Sequence, residues 1–221
     1  MKRPALRNGR ADDLLCVLPA LADTADRFAI PREHFLAMID GAAMDLDRNR
    51  YGTFDELEGY CRRVASTVGL ACVHIWGFRG DEVFEPAEKC GIALQLTNIL
   101  RDVKEDLARD RVYLPQDELR RHHYTEDDLR RAVADARFER LMAGQIERAE
   151  RYYREGMPVL DWLEPCGRRV CGVMIDRYRA LLDAIGRRPA AVLHRRVTLT
   201  ATAKTRLALR WLLGGRRLHH A

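Results

Sequence analysis

The sequence predicts a single all-α domain. Three observations carry that prediction. The 221 residues suffice for one large core and are long for two independent ones. Hydrophobic residues at 47% and charged residues at 32% give the balance of a soluble globular chain, not a disordered one. Apolar residues recur at helical spacing nearly throughout, and no alternating strand followed by a hairpin turn is present.

Residues 11–28 read as a first helix, bent at Pro19. Pro31 opens a second, running to about Leu46. Thr53 with Glu56 forms a capping box that starts a long apolar helix from Phe54 towards Phe78. Gly80 and Asp81 mark a loop, and Pro86 sits in the first turn of another long helix reaching about Ala108. Asp110 to Pro115 is extended, because a residue before proline is pushed out of helical geometry. Thr125 and Asp128 cap a short helix to about Ala136, and a charged amphipathic helix follows to Gly156. Pro158 and Pro165 punctuate a short segment before a helix over Gly167–Ile185, which Arg188–Pro189 ends. The organisation expected is one helical domain over 1–189 and a basic helical tail over 190–221.

The net charge is +5, but the excess is concentrated at one end. Beyond Asp183 there is no acid, while nine Lys and Arg residues follow. Such an end suits a diphosphate, a polyanion or an anionic membrane surface; a solvated tail fits equally. No apolar run is long enough for a membrane span, and Met1–Asp13 lacks the apolar core of a secretory signal, so the expected compartment is the cytoplasm. The six cysteines form no C-x-x-C pair or zinc pattern and read as reduced and structural. Nucleic-acid binding would rest on the basic tail alone and is not expected.

The segment over residues 90–115 is more informative. Ile92, Leu94, Leu96, Ile99 and Leu100 make a core helix, yet Gln95 and Asn98 interrupt it. Gln95, Asn98, Asp102 and Asp106 fall within roughly an 80° arc of an ideal helix. Like charges one turn apart repel, and a divalent cation would compensate. Asp and Asn oxygens with substrate phosphates suit Mg²⁺, which points to a diphosphate; a solvated face paired with nearby Lys and Arg remains the alternative. In a second segment, over residues 60–78, Tyr60, Val64, Thr67, Val68 and Ala71 share a face rich in small residues. Small residues either allow close helix packing or leave room for a long apolar ligand.

Together these segments resemble the squalene/phytoene synthase family of head-to-head prenyl synthases. Tyr60–Cys61 and Val64–Ala65–Ser66–Thr67–Val68–Gly69 match its first signature. Gly91, Gln95, Asn98, Arg101–Asp102, Asp106, Arg111, Tyr113 and Pro115 match its second. Residues 44–61 and 111–119 look like the phytoene synthase branch, and the similarity runs from about Ile30 to Ile185. The resemblance implies an isoprenoid-synthase-type bundle around a central cavity. It implies Mg²⁺ held by Asp102 and Asp106 with Asn98, and diphosphate contacts from Arg101 and Arg111. It places Tyr60 near the reacting carbons, Gln95 in the site, and Val64, Ala65, Val68 and Gly69 along the prenyl channel. Tyr178 and Arg196 resemble later positions near the diphosphate.

The implied activity is Mg²⁺-dependent condensation of two prenyl diphosphates through a cyclopropylcarbinyl diphosphate. Geranylgeranyl diphosphate would give phytoene; farnesyl diphosphate would give presqualene diphosphate, squalene or dehydrosqualene. No nicotinamide site supports a reductive step. The family's first aspartate-rich motif lies well upstream of its tyrosine-cysteine block, and here neither Asp12–Asp13 nor Asp23/Asp26 has its surroundings. The expectation is therefore an N-terminally truncated domain with little activity alone. The alternative of another class is a non-catalytic helical relative at a membrane. The Trp211-containing tail would give either one peripheral membrane contact.

Overall fold

A computed structural model describes residues 9–214 of the chain. Thirteen α-helices account for most of them. Helix α1 spans Gly9–Arg27 and contains Pro19; α2 spans Arg32–Asp47 behind Pro31. The expected long helix from Phe54 is interrupted: α3 covers Phe54–Cys61, a π-helical turn covers Arg62–Ser66, and α4 covers Thr67–Trp76. Thr53 Oγ1 accepts from the Glu56 amide, as the capping box requires, but the Glu56 carboxylate accepts from the Gly52 amide instead of Thr53's. The Thr67 hydroxyl donates to the Arg63 carbonyl at 2.6 Å, satisfying an acceptor inside the widened turn.

Helix α5, Phe84–Arg101, is the central rod. The expected continuation to Ala108 bends at Asp102, whose φ of −100° and ψ of 12° leave helical geometry; α6 then spans Val103–Leu107. The strand-like stretch lies beside residues 49–51, with Val112 N donating to Asn49 O at 2.9 Å. Two isolated bridges, Arg50 with Val112 and Phe78 with Leu163, are the only β-type pairings among the described residues. Two short helices follow: α7, Gln116–Arg121, which the sequence does not announce, and α8, Glu126–Arg130, with its Thr125/Asp128 capping box intact. The amphipathic α9 runs over Ala136–Gly156, α10 over Val159–Trp162 and α11 over Pro165–Arg187.

Helix α5 is flanked by α9, α4 and α11, and small residues set how closely. A Cβ on Gly91 would stand 2.6 Å from the Ser66 Cα, and one on Gly156 would stand 2.6 Å from the Cys90 amide nitrogen. Both sites need glycine for close approach. The cysteines Cys61, Cys72, Cys90, Cys166 and Cys171 are free thiols, as expected.

Among the described residues, the first part of the basic tail packs against the body. Helix α12, Ala191–His194, buries Val192 and Leu193, and Lys104 Nζ donates to the His194 carbonyl at 2.6 Å. Helix α13, Ala201–Gly214, packs along α11. The boundary at residue 189 is thus a break between helices, and residues 191–197 join the body on its far side. The side chains of Asp12, Asp13 and Trp211 lie outside the described residues, as do Arg216 and Arg217.

Candidate active site

A cavity of 260 Å³ opens between α4, α5 and α11. Its wall on α4 and the preceding π turn is the expected set: Val64, Ala65, Val68 and Gly69, continued by Cys72 and Trp76. On α5 it is lined by Leu94, Gln95 and Asn98, and on α11 by Cys171, Met174 and Tyr178. Nearly all of this lining is apolar. The polar groups, Gln95, Asn98 and Tyr178, lie towards the Asn98 end of α5, while Val73 and Trp76 line the cavity towards the end of α4 together with Val159. Val68 is 42% exposed, so the cavity is a groove open along one side. The small residues therefore do both jobs their composition allowed: Gly91 sets close packing, while Ala65 and Gly69 leave space.

A second cavity, of 230 Å³, adjoins the polar end and shares Tyr178 with the first. Its walls carry Arg101, Arg177, Arg196 and Lys204, and no acid lines it. Arg196 reaches it from the tail, beside the stretch Val197–Leu199. Of these residues Arg101, Tyr178 and Arg196 were legible by resemblance, whereas Arg177 and Lys204 carry no local signal.

Asp102 lies behind the second cavity, paired with two of the arginines that line it. Arg101 Nε donates to its Oδ1 at 2.7 Å, with a second, shorter contact from Arg101 Nη2, and Arg196 Nε lies 2.9 Å from Oδ1. Both Arg101 and Asp102 are largely buried, so the pair is held in a low-dielectric setting. The bond to Asp102 raises the guanidinium pKa of Arg101. Asp106 follows one turn later and is half-buried. Burial first, then the Asp102 charge, pushes its carboxyl up to about 6. The Asn98 Oδ1 is buried and accepts no hydrogen bond, although its Nδ2 donates weakly to Gln95 Oε1 at 3.4 Å. A buried acceptor without a donor is costly unless something else satisfies it.

These features fit Mg²⁺. The orphaned Asn98 oxygen and the Asp106 carboxyl, raised first by burial and then by the Asp102 charge, would both gain from a bound cation. Among the described residues no group of three or more His, Cys, Asp or Glu is arranged for a metal. Two carboxylates and one amide would therefore share Mg²⁺ with water and substrate oxygens, the arrangement that ion favours.

Tyr60 and Arg111 lie to one side. Tyr60 is buried, stacks on Tyr113 at 5.4 Å and meets the Tyr51 ring at a tilt at 5.3 Å, and burial holds its phenol above the ordinary range. Tyr113 donates to Asp45 Oδ1 at 3.0 Å, and Arg111 Nη2 donates to the Asp45 carbonyl at 2.9 Å. Arg111 lines a small hollow with Asp106 and Tyr113, apart from the Arg101–Arg196 pocket. Asp45 and Tyr51 were not anticipated; their only signal is proximity to Tyr60 in the chain.

Comparison with known proteins agrees with this architecture. The squalene/phytoene synthase family model matches residues 7–203. The chain is 43% identical over 190 residues to the phytoene synthase of Arthrospira platensis, covering 80% of this chain and 62% of that one. It is 40% identical over 195 residues to the phytoene synthase of Mycobacterium tuberculosis, covering 87% and 65%. A ligand-bound dehydrosqualene synthase superposes with a TM-score of 0.80 at 28% identity over 87% of this chain and 68% of that one. A squalene synthase from Alicyclobacillus acidocaldarius gives 0.74 at 31% over 78% and 65%. The chain thus spans from 43% to 65% of the length of the curated relatives it matches. On its sequence and its helical architecture alike, the chain belongs to the squalene/phytoene synthase family.

Proposed function

We propose that this chain binds prenyl diphosphate with Mg²⁺ and serves head-to-head condensation of two such molecules, geranylgeranyl diphosphate giving phytoene. The observation that carries this is the union of two cavities of opposite character at one point. An apolar groove and an arginine-rich pocket share Tyr178, matching a molecule with a long hydrocarbon tail and a highly charged head. The relatives named phytoene synthase favour the C20 substrate; the dehydrosqualene and squalene synthase neighbours keep farnesyl diphosphate as the second reading.

Asn98, Asp102 and Asp106 would hold the metal, which when bound supplies Lewis-acid stabilisation of charge on the departing diphosphate. Arg101, Arg196 and Lys204 add fixed positive charge in the same place, where a dry site makes it count for more than in water. Gln95 and Tyr178 orient the head at the cavity mouth. Val64, Ala65, Val68 and Gly69 hold the tail and exclude the water that would quench an allylic cation. Tyr60, packed against Tyr51 and Tyr113, lines neither cavity. The surface of α13 and the tail arginines would rest on an anionic membrane, where so oily a product must go; no helix among the described residues is long and apolar enough to cross one.

The test is calorimetric binding of geranylgeranyl thiolodiphosphate, which resists ionisation, with and without Mg²⁺. The function predicts Mg²⁺-dependent binding that Asp106→Asn weakens at least about tenfold, the loss of one charge-assisted ligand. Equal binding in EDTA would contradict it.

A further inference from the structure

Three of the free thiols converge on the apolar groove. Cys72 of α4, Cys90 of α5 and Cys171 of α11 all line it. Cys90 and Cys171 are both buried, on two helices that pack against each other. Their thiols are close enough to share a hydrogen bond, and that bond, ahead of burial, holds Cys171 above the ordinary thiol range. A single buried cysteine behaves as a small hydrophobe. Two in contact from separate helices, at the edge of a space that a reagent can enter, make a dithiol.

We propose that Cys90 and Cys171 are a redox site, at which a small neutral hydroperoxide entering the groove forms a disulfide that ties α5 to α11 and narrows the groove. The inference holds whatever molecule the groove takes. Cys90 attacks, because Cys171 keeps its proton and donates it in the shared hydrogen bond. With hydrogen peroxide, the Cys90 sulfur bonds one oxygen, the O–O bond breaks, and water leaves with the thiol proton. Cys90 is then a sulfenic acid. The Cys171 sulfur attacks the sulfenic sulfur, the S–O bond breaks, and the hydroxyl leaves as a second water with the Cys171 proton. Two thiols have lost two electrons and two protons, and one peroxide has become two waters. The surroundings select the reagent. The lining is nearly all apolar and the opening lies beside exposed Val68, so an uncharged oxidant enters. A charged peptide disulfide such as oxidised glutathione would leave its charges without partners there. Cys61, also buried, lines no part of the groove.

The experiment uses the 221-residue chain with Cys16→Ser and Cys166→Ser, which leaves Cys61, Cys72, Cys90 and Cys171. After hydrogen peroxide, remaining thiols are alkylated and the peptides mapped by mass spectrometry, while Nile red, an uncharged apolar dye, reports on the groove. The expected product is a Cys90–Cys171 disulfide. Its rate with peroxide relative to oxidised glutathione should exceed the same ratio for free cysteine at least about tenfold, because access favours the smaller reagent. Dye affinity should fall at least about fivefold on oxidation and return with dithiothreitol, since a wall drawn inward removes apolar contact. Cys171→Ala should show no such fall, and its Cys90 should be trapped by dimedone as the sulfenic acid. Oxidation that spares Cys90 and Cys171, or joins another pair, would overturn the site. A Cys90–Cys171 bond with unchanged dye affinity would overturn the narrowing, and a rate ratio equal to that of free cysteine would overturn the selection of reagent. Should Cys171→Ala lose its helical circular dichroism, the bond mapped in the chain that keeps both thiols decides alone.

Discussion

At the scale of single residues, polar side chains in apolar surroundings mark the site. Gln95 and Asn98 stand out in the sequence because a buried rod has no use for them, and the structure places both at the polar end of the groove. The pairing of Asp102 with its two arginines was not legible, although both arginines were named by resemblance. Arg101 is adjacent in sequence, but Arg196 arrives from 94 residues away through a fold no local pattern encodes. Arg196 offers a selective prediction. Arg196→Ala should weaken binding of geranylgeranyl thiolodiphosphate about tenfold, since one charged hydrogen bond is lost, and leave binding of geranylgeraniol unchanged. Competition calorimetry with the two ligands reads both.

A second buried charge pair lies outside the site. Glu118 on α7 is buried, accepts from Gln145 and Arg148 of α9, and has Arg148 Nη2 2.5 Å from its Oε1. The Arg148 guanidinium also sits 4.0 Å from the centre of the Phe54 ring. Arg148→Met strips that carboxylate of its cation while keeping most of the side-chain volume. Removing one member of a buried pair costs about 3–5 kcal/mol, so the urea midpoint should fall sharply. A change within about 0.5 kcal/mol would show the pair to be a surface contact.

Among the elements, close helix approach explains what glycine does here. Gly91 and Gly156 meet backbone on the π turn and on α5, so alanine at either position overpacks the bundle and should cost about 1–3 kcal/mol. Gly144 of α9 is exposed and has open space around it, so Gly144→Ala should stabilise by about 1 kcal/mol. Thermal melts of the three variants check both signs. Element order was legible from proline, glycine and capping residues, whereas breaks within helices were not. The π turn over Arg62–Ser66 has no breaker in its sequence; α2 presses on it, as the tight fit of Gly41 against Val64 and Arg63 shows. The bend at Asp102 likewise coincides with contacts from distant chain. Helix α7 is short and follows Pro115 directly, and so small a segment gives no period to read.

The loop region between α6 and α9 is an acid-sensitive element. Arg50 bonds Glu126 at 2.6 Å and Asp110 at 2.8 Å, and Asp128 and Asp135 accept from Thr125, Arg137 and Phe138. All four carboxyls are held below their ordinary values, chiefly by Arg50, the Thr125 cap and Arg137. Their contribution is complete above the unfolded values of about 4 and disappears as pH falls through the lower folded values. The melting temperature should therefore hold from pH 7 to about pH 5 and decline steeply below pH 4. Arg50→Ala should flatten that decline; an unchanged acid profile would contradict the assignment.

For the whole molecule, charge and hydrophobicity are separated along one axis. The groove between α4, α5 and α11 is apolar at Trp76 and basic at Arg101 and Arg196, and the tail that supplies Arg196 closes the basic end. The excess of positive charge in the tail was visible in composition. Its destination was not, because a solvated tail and a diphosphate clamp have the same composition. The all-α class followed from periodicity alone, while the sharing of Tyr178 by two cavities needed coordinates. The most direct test is a crystal grown with Mn²⁺ in place of Mg²⁺ and geranylgeranyl thiolodiphosphate, with the metal located by anomalous scattering. A peak against Asn98, Asp102 and Asp106, with the tail running past Val68 towards Trp76, is the result expected. A metal bound only at surface carboxylates such as Asp110 and Asp127, with the groove empty, would contradict it.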